Sequence, residues 1–115
     1  MRRRLTSGAD FTAVFAATDV VAAGVYAAAA EHRLTIPDDL SVVGYDDVEL
    51  AQDLRPRLTT VHVPYEDLGR TAAQIAVDDQ HLQPGWTGDY RLFKTHVVIR
   101  NSVRRPESPG QRDRG

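Results

Sequence analysis

Two adjacent carboxylates, Asp46 and Asp47, close the run Leu40-Ser41-Val42-Val43-Gly44-Tyr45. An ionised carboxylate accepts hydrogen bonds through several lone-pair sites, which suits a ligand presenting neighbouring hydroxyls. The run before the pair is short and nearly all apolar, as in a strand covered on both faces of a parallel sheet. Open α/β sheets bind ligands beyond the C-terminal ends of their strands, and this is where the two carboxylates fall. Asp46 has a second reading, as a strand-end carboxylate that caps the following turn. Adjacent residues of a strand point to opposite faces, so the pair does not read as a magnesium or phosphoacceptor pocket. His32, His62, His81 and His96 show no paired metal-ligand spacing. Neither a Gly-x-Ser-x-Gly elbow nor a phosphate loop occurs. The expectation is a binding protein rather than an enzyme, with no metal and no cofactor.

The elements that would position these carboxylates are legible around them. Phe11 to Ala16 is a short run with aromatic and β-branched members and reads as a strand. Thr18 and Asp19 offer N-cap chemistry, and an alanine-rich helix follows from about Asp19 to Arg33. Its apolar residues go nearly all round, so it should be covered on more than one side. Pro37-Asp38-Asp39 is a turn signal, and the strand over 41–45 completes a βαβ unit. Residues 48–57 read as an irregular loop. Residues 58–63 read as a third strand stopped by Pro64. A second helix runs from Tyr65 to about Leu82, with Glu66 and Asp67 suiting its N-terminal end and Leu68, Ala72, Ile75 and Ala76 as its apolar stripe. After a loop at Pro84, Gly85 and Gly88, Phe93 to Arg100 gives a last strand. The predicted fold is α/β, with about four strands of a partial parallel sheet and two main helices. Residues 1–10 and 104–115 are polar and are expected to be disordered, leaving residues 11–103 as the folded domain.

Bulk composition narrows the function classes. The chain has 115 residues, enough for one domain at most. Net charge is -2, and the arginines that supply nearly all the positive charge are scattered and outnumbered by carboxylates, which argues against a nucleic-acid surface. Cysteine is absent, which excludes disulfides and thiolate metal sites. No apolar stretch reaches the roughly 20 residues of a membrane span, and Met1-Arg2-Arg3-Arg4 is not followed by the apolar segment of an export signal. The expected compartment is the cytoplasm, with no membrane partner.

Several blocks together resemble one family. They are Thr12-Ala13-Val14-Phe15-Ala16-Ala17-Thr18-Asp19, Ala23-Gly24, Ile36-Pro37-Asp38-Asp39-Leu40-Ser41-Val42-Val43-Gly44-Tyr45-Asp46-Asp47, Leu58-Thr59-Thr60-Val61, Leu68-Gly69 and Val97-Val98-Ile99-Arg100-Asn101-Ser102. In this order and spacing they are similar to the C-terminal effector-binding region of the LacI/GalR transcription regulators. The resemblance implies part of a two-subdomain domain like that of periplasmic sugar-binding proteins, and it begins inside the second subdomain. The helix-turn-helix, the hinge and most of the first subdomain of that family find no match among these residues. The implied partners are a small-molecule effector, a sugar or related metabolite, and a second copy or a related regulator. Contact with DNA would come only through a helix-turn-helix that these residues lack.

The resemblance also assigns residues. Asp46 matches the aspartate that hydrogen-bonds the effector. Thr18 matches a position that is an effector-contacting asparagine in several members, although threonine lacks the amide donor and suits an N-cap. Asp19 reads as a cap or first-turn charge. Val63 stands at a contact position that is polar elsewhere in the family, and its side chain cannot hydrogen-bond. His62 before it reads as a surface strand residue. Ala23, Ala27 and Leu54 match the dimer seam, against the plainer reading of core packing. The chain departs from the family at Asp78-Asp79-Gln80-His81, at Trp86 to Tyr90, and at His96, where an aliphatic residue is usual.

Two helices cannot cover both faces of a four-stranded parallel sheet. The chain alone is therefore expected to be marginal or to associate, and to bind effector weakly or not at all. Two further readings are a stand-alone sugar-binding module and an interaction protein that pairs with a full-length paralogue.

Overall fold

In the computed structural model, residues 11–78 and 91–106 are described, and their elements follow the order β1 (Ala13–Phe15), α1 (Asp19–Glu31), β2 (Ser41–Val43), α2 (Leu50–Asp53), β3 (Thr60–His62), α3 (Tyr65–Val77) and β4 (His96–Val98). Strand β1 pairs in parallel with β2, in the register Ala13↔Ser41, Val14↔Val42 and Phe15↔Val43. The chain past β2 stays extended and bridges to β3 in parallel at Val43↔Thr59 and Asp46↔His62. Backbone bonds from Gly44 N–H to Thr59 O and from Asp46 N–H to Val61 O, both 2.9 Å, hold this junction. Strands β1, β2 and β3 thus lie side by side in parallel as expected, but β4 departs from the expected parallel sheet. Strand β4 runs against β3, with Thr60↔Val98, Val61↔Val97 and His62↔His96 as partners.

Helix α1 begins where its sequence provides a cap. Thr18 is extended (φ -147°, ψ 164°) and its Oγ1 accepts from the Val21 N–H at 3.2 Å, satisfying one of the orphan donors of the first turn. Ala22, Val25, Ala28 and Ala29 form the buried face. The helix packs on a small core of Ala16, Leu40, Val42, Ala51 and Leu58, with Val14, Tyr26, Leu34, Ile36 and Leu54 at its margin. Alanine on the inner face lets the helix approach the sheet closely.

The segment expected as an irregular loop contains the helical turn α2. Its physical reason is Ala51, whose methyl group is fully buried in the core, so one turn of helix is needed to aim it inward. Helix α3 has no buried residue, and of its expected stripe Leu68 and Ile75 are half-buried while Ala72 and Ala76 are exposed. Its expected continuation to Leu82, the following loop and both expected disordered ends, apart from residues 104–106, lie outside the described residues. Arg104 is fastened: its backbone N–H donates to Ser41 Oγ at 3.1 Å and its Nε to Asp38 O at 2.7 Å.

Gly44 is the tightest position of the sheet. A Cβ there would stand 2.2 Å from Asp19 Oδ1 and 2.8 Å from Leu58 Cδ2. Gly44→Ala must displace a buried carboxyl and a core leucine together. It is expected to lower unfolding free energy by about 1–3 kcal/mol, the range for overpacking a core, measured by urea titration.

Candidate functional site: the strand ends around Asp46

The extension of β2 past Gly44 carries Tyr45, Asp46 and Asp47 to the sheet's end. Asp46 has φ 114° and Asp47 φ 61°, both in the region that side chains seldom adopt. Such outliers persist only where surrounding bonds fix them, and here those bonds are visible. The Asp46 N–H donates to Val61 O at 2.9 Å, and its carbonyl accepts from the Val63 N–H at 3.4 Å. The irregular backbone turns the two carboxylates to different partners. Asp46 Oδ1 accepts a short hydrogen bond from the Tyr65 hydroxyl. Asp47 accepts from Arg100 Nη2 at 2.6 Å and pairs through its other oxygen with His62 Nδ1 at 2.9 Å.

Asp47 therefore serves structure rather than a ligand. Burial alone would push its carboxyl upward, but hydrogen bonds from Arg100 and then His62, together with their charges, outweigh this and hold it below the usual carboxylate value. Arg100 also donates through Nη1 to Leu58 O at 2.9 Å, tying the segment after β4 to the start of β3. Tyr65 is held above the usual phenol value, first by its hydrogen bond to Asp46, then by burial and the Asp46 charge.

The sequence-derived candidates divide by what surrounds them. Asp46, Thr18 and Val63 are each half-buried at the C-terminal ends of β1, β2 and β3. Thr18 makes its N-cap bond, so its hydroxyl is committed as an acceptor. Asp19, read from sequence as a cap or first-turn charge, is fully buried. Its Oδ1 accepts from Thr60 Oγ1 at 2.5 Å and its Oδ2 from the Val48 N–H at 2.9 Å. Ala27 is exposed, Ala23 is half-buried, and Leu54 is half-buried against the core. Sequence reasoning passed over Tyr65 and Arg100. The signal for Tyr65 was its place two residues beyond Val63, where a helix start returns an aromatic hydroxyl toward the strand ends.

Concavities also occur elsewhere. One of about 400 Å³ lies at the opposite end of the strands, lined by Thr12, Asp38, Ser41 and Arg104 among others. Another of about 460 Å³ runs along β1 and α1 between Phe11, Phe15, Val21 and Val25. Neither includes Asp46. The strand-end location argues for Asp46: the groove along β1 and α1 offers no convergent polar groups, and the first concavity, though polar, lies at the N-terminal ends of β1 and β2.

A carboxylate beyond the C-terminal ends of parallel strands stands where open α/β sheets place a ligand. Residues 2–103 match the periplasmic binding protein-like domain. The chain belongs to that family, and its resemblance within it is to LacI-family regulators. It is 42% identical over 77 residues to the ribose operon repressor of Escherichia coli strain K12, covering 67% of this chain and 23% of that repressor. A LacI family regulator from Enterococcus faecium, solved with bound ribose, superposes with a TM-score of 0.75 at 29% identity, covering 89% of this chain and 38% of that one. The lac repressor dimer bound to operator and an anti-inducer superposes with a TM-score of 0.76 at 31% identity, covering 89% and 35%. The chain thus spans about a quarter of the length of its curated relative.

The Asp47 pair gives a pH dependence with a definite sign. Its depressed folded value means that its stabilisation is complete above the unfolded carboxylate value, about 4, and is lost as pH falls through the lower folded value. Melting temperature should fall in that acid window in the wild type. Asp47→Asn should be less stable at neutral pH and show a flatter acid limb by circular dichroism.

Proposed function

We propose that this region is the ligand-sensing and dimerisation part of a LacI/GalR-type transcriptional regulator of the cytoplasm, and that it forms one wall of an effector cleft. The effector is a sugar or a related metabolite bearing hydroxyls. The observation that carries this reading is Asp46: a carboxylate at the sheet's C-terminal end, held at a positive φ by backbone bonds to Val61 and Val63, with Tyr65 on one oxygen. Its remaining acceptor sites suit a ligand hydroxyl. Thr18 and Val63 would border the ligand, Val63 against an apolar part of it. Relatives solved with bound ribose and sucrose support the ligand class.

In such a regulator the effector shifts the balance between two arrangements of the subdomains, and this changes how far apart the DNA-reading heads stand. These residues are not assigned the DNA contact. Their part is to hold the effector and to transmit its presence through the protomer seam.

Isotope-labelled chain titrated with ribose should show weak, saturable shift changes centred on Asp46, Thr18 and Val63. Asp46→Ala should weaken binding roughly tenfold or more, as expected from losing a charged hydrogen bond of about 1.5–3 kcal/mol. Changes confined to residues away from the strand ends, or an undiminished affinity in Asp46→Ala, would refute the assignment.

The seam is proposed on the outer face of α1 near Ala23 and Ala27, with Leu54 beside it. Val20 and Val21 are 66% and 52% exposed there, and a Cβ on Gly24 would meet nothing within 4 Å. A mid-helix glycine costs roughly 0.5–1 kcal/mol relative to alanine, a cost that close approach of a second helix would explain. Sedimentation equilibrium should detect a dimer that Ala27→Glu dissociates without altering the monomer's circular dichroism; a wild type monomeric at all accessible concentrations would argue against the seam.

A further inference from the structure

His62 and His96 are direct cross-strand partners on β3 and β4. Their ring centroids are 4.9 Å apart with an interplanar angle of 37°. His62 is additionally oriented from behind, through Nδ1 to Asp47 Oδ2 at 2.9 Å, while Arg100 fixes the other oxygen of the same carboxylate. A carboxylate accepts but does not donate, so the Nδ1 carries the hydrogen. In the neutral ring the His62 Nε2 then carries the free lone pair, directed away from Asp47. A carboxylate that fixes the tautomer and ring orientation of a histidine is the arrangement found behind metal-ligating imidazoles. His62 remains 39% exposed at its side chain and His96 is exposed, so a cation can reach the pair.

We propose that His62 and His96 bind a borderline divalent transition-metal ion of the zinc class, with Asp47 positioning His62 from behind. Imidazole nitrogen is a preferred donor for such ions. Among the described residues no group of three or more His, Cys, Asp or Glu side chains is gathered for a metal. The proposed site accordingly draws on the two imidazoles alone, with water or another small ligand in the remaining positions. The site exists only while β3 and β4 are paired, so occupancy clamps these strands together. It lies one residue from both Asp46 and Val63, and the backbone of Asp46 pairs with that of His62 in a parallel β-bridge. The inference stands apart from the effector reading, since it rests on the imidazole pair and its carboxylate alone.

Zinc chloride alone, titrated into the 115-residue chain at neutral pH and followed by calorimetry and by imidazole nitrogen shifts, tests it. One equivalent should bind, with the largest shifts at His62 and His96 and a rise in melting temperature, since an ion that binds only the folded chain stabilises it. His96→Ala and His62→Ala should each abolish the one-equivalent binding, and Asp47→Asn should weaken it roughly tenfold to hundredfold. His81→Gln should leave it unchanged. Circular dichroism of His96→Ala, whose exposed side chain is not part of the core, establishes that loss of binding is not loss of fold. Absence of stoichiometric binding, or binding that survives His96→Ala, would overturn the proposal.

Discussion

The carboxyl group of Asp19 is enclosed completely, and three parts of the chain meet on it. Its own backbone N–H donates to Tyr45 O at 2.9 Å, its Oδ1 takes the Thr60 hydroxyl, and its Oδ2 takes the Val48 N–H. The start of α1, the extension of β2 and the start of β3 are therefore fixed to one side chain. A buried carboxyl is costly without partners and strongly destabilising to unpair, so these three elements hold their spacing together or lose it together. Gly44 follows from this arrangement. Asp19 can occupy the space beside the β2–β3 junction because residue 44 has no Cβ to compete for it. The irregular backbone at Asp46 begins only two residues later and is fixed from the opposite side by β3.

Ser102 makes the second such tie. Its hydroxyl accepts from the Thr59 N–H at 2.8 Å and donates to Val42 O at 2.6 Å, while its carbonyl accepts from the Val42 N–H at 2.8 Å. The segment after β4 is thereby inserted beside β2 and β3 where their own pairing is incomplete. This explains how β4 can run against β3 and still leave the chain close to β2. In contrast, α3 buries none of its side chains. Among the described residues, the buried contacts are concentrated in the β1–α1–β2–β3 unit and the short stretch from Arg100 to Arg104 that closes it.

Much of this was legible in the amino-acid order because local chemistry and tertiary role agreed. The apolar run before Asp46 reads as a covered strand and forms one. Thr18 reads as an N-cap and makes that bond. Alanine density predicts α1 to within two residues of its end. The failures have a common physical source in side chains whose partners are distant in sequence. Asp19 looks like an ordinary first-turn acid until Thr60 and Val48 are brought to it. Residues 50–53 lack helical length, and only the burial of Ala51 accounts for their turn. The four histidines show no ligand spacing along the chain, yet strand pairing sets His62 against His96. The direction of β4 was equally hidden, because a short apolar run carries no sign of whether its neighbour is parallel or antiparallel.

The candidate site was legible in type and incomplete in detail for the same reason. A carboxylate pair at a strand end could be read from sequence, but its division of labour could not. Asp47 is drawn to Arg100 and His62, whereas Asp46 faces Tyr65, and this separation depends on two consecutive residues at positive φ. Had the strand continued regularly, the two side chains would simply have alternated between faces. The observed bend instead makes one carboxylate a structural counter-charge and leaves the other with acceptor capacity at the rim. Because Arg100 follows β4 and His62 lies on β3, the backbone that presents Asp46 is held, through Asp47, by that strand pair. Asp46 thus takes its conformation from both sides, from β3 through its own backbone bonds and from the β3–β4 junction through Asp47.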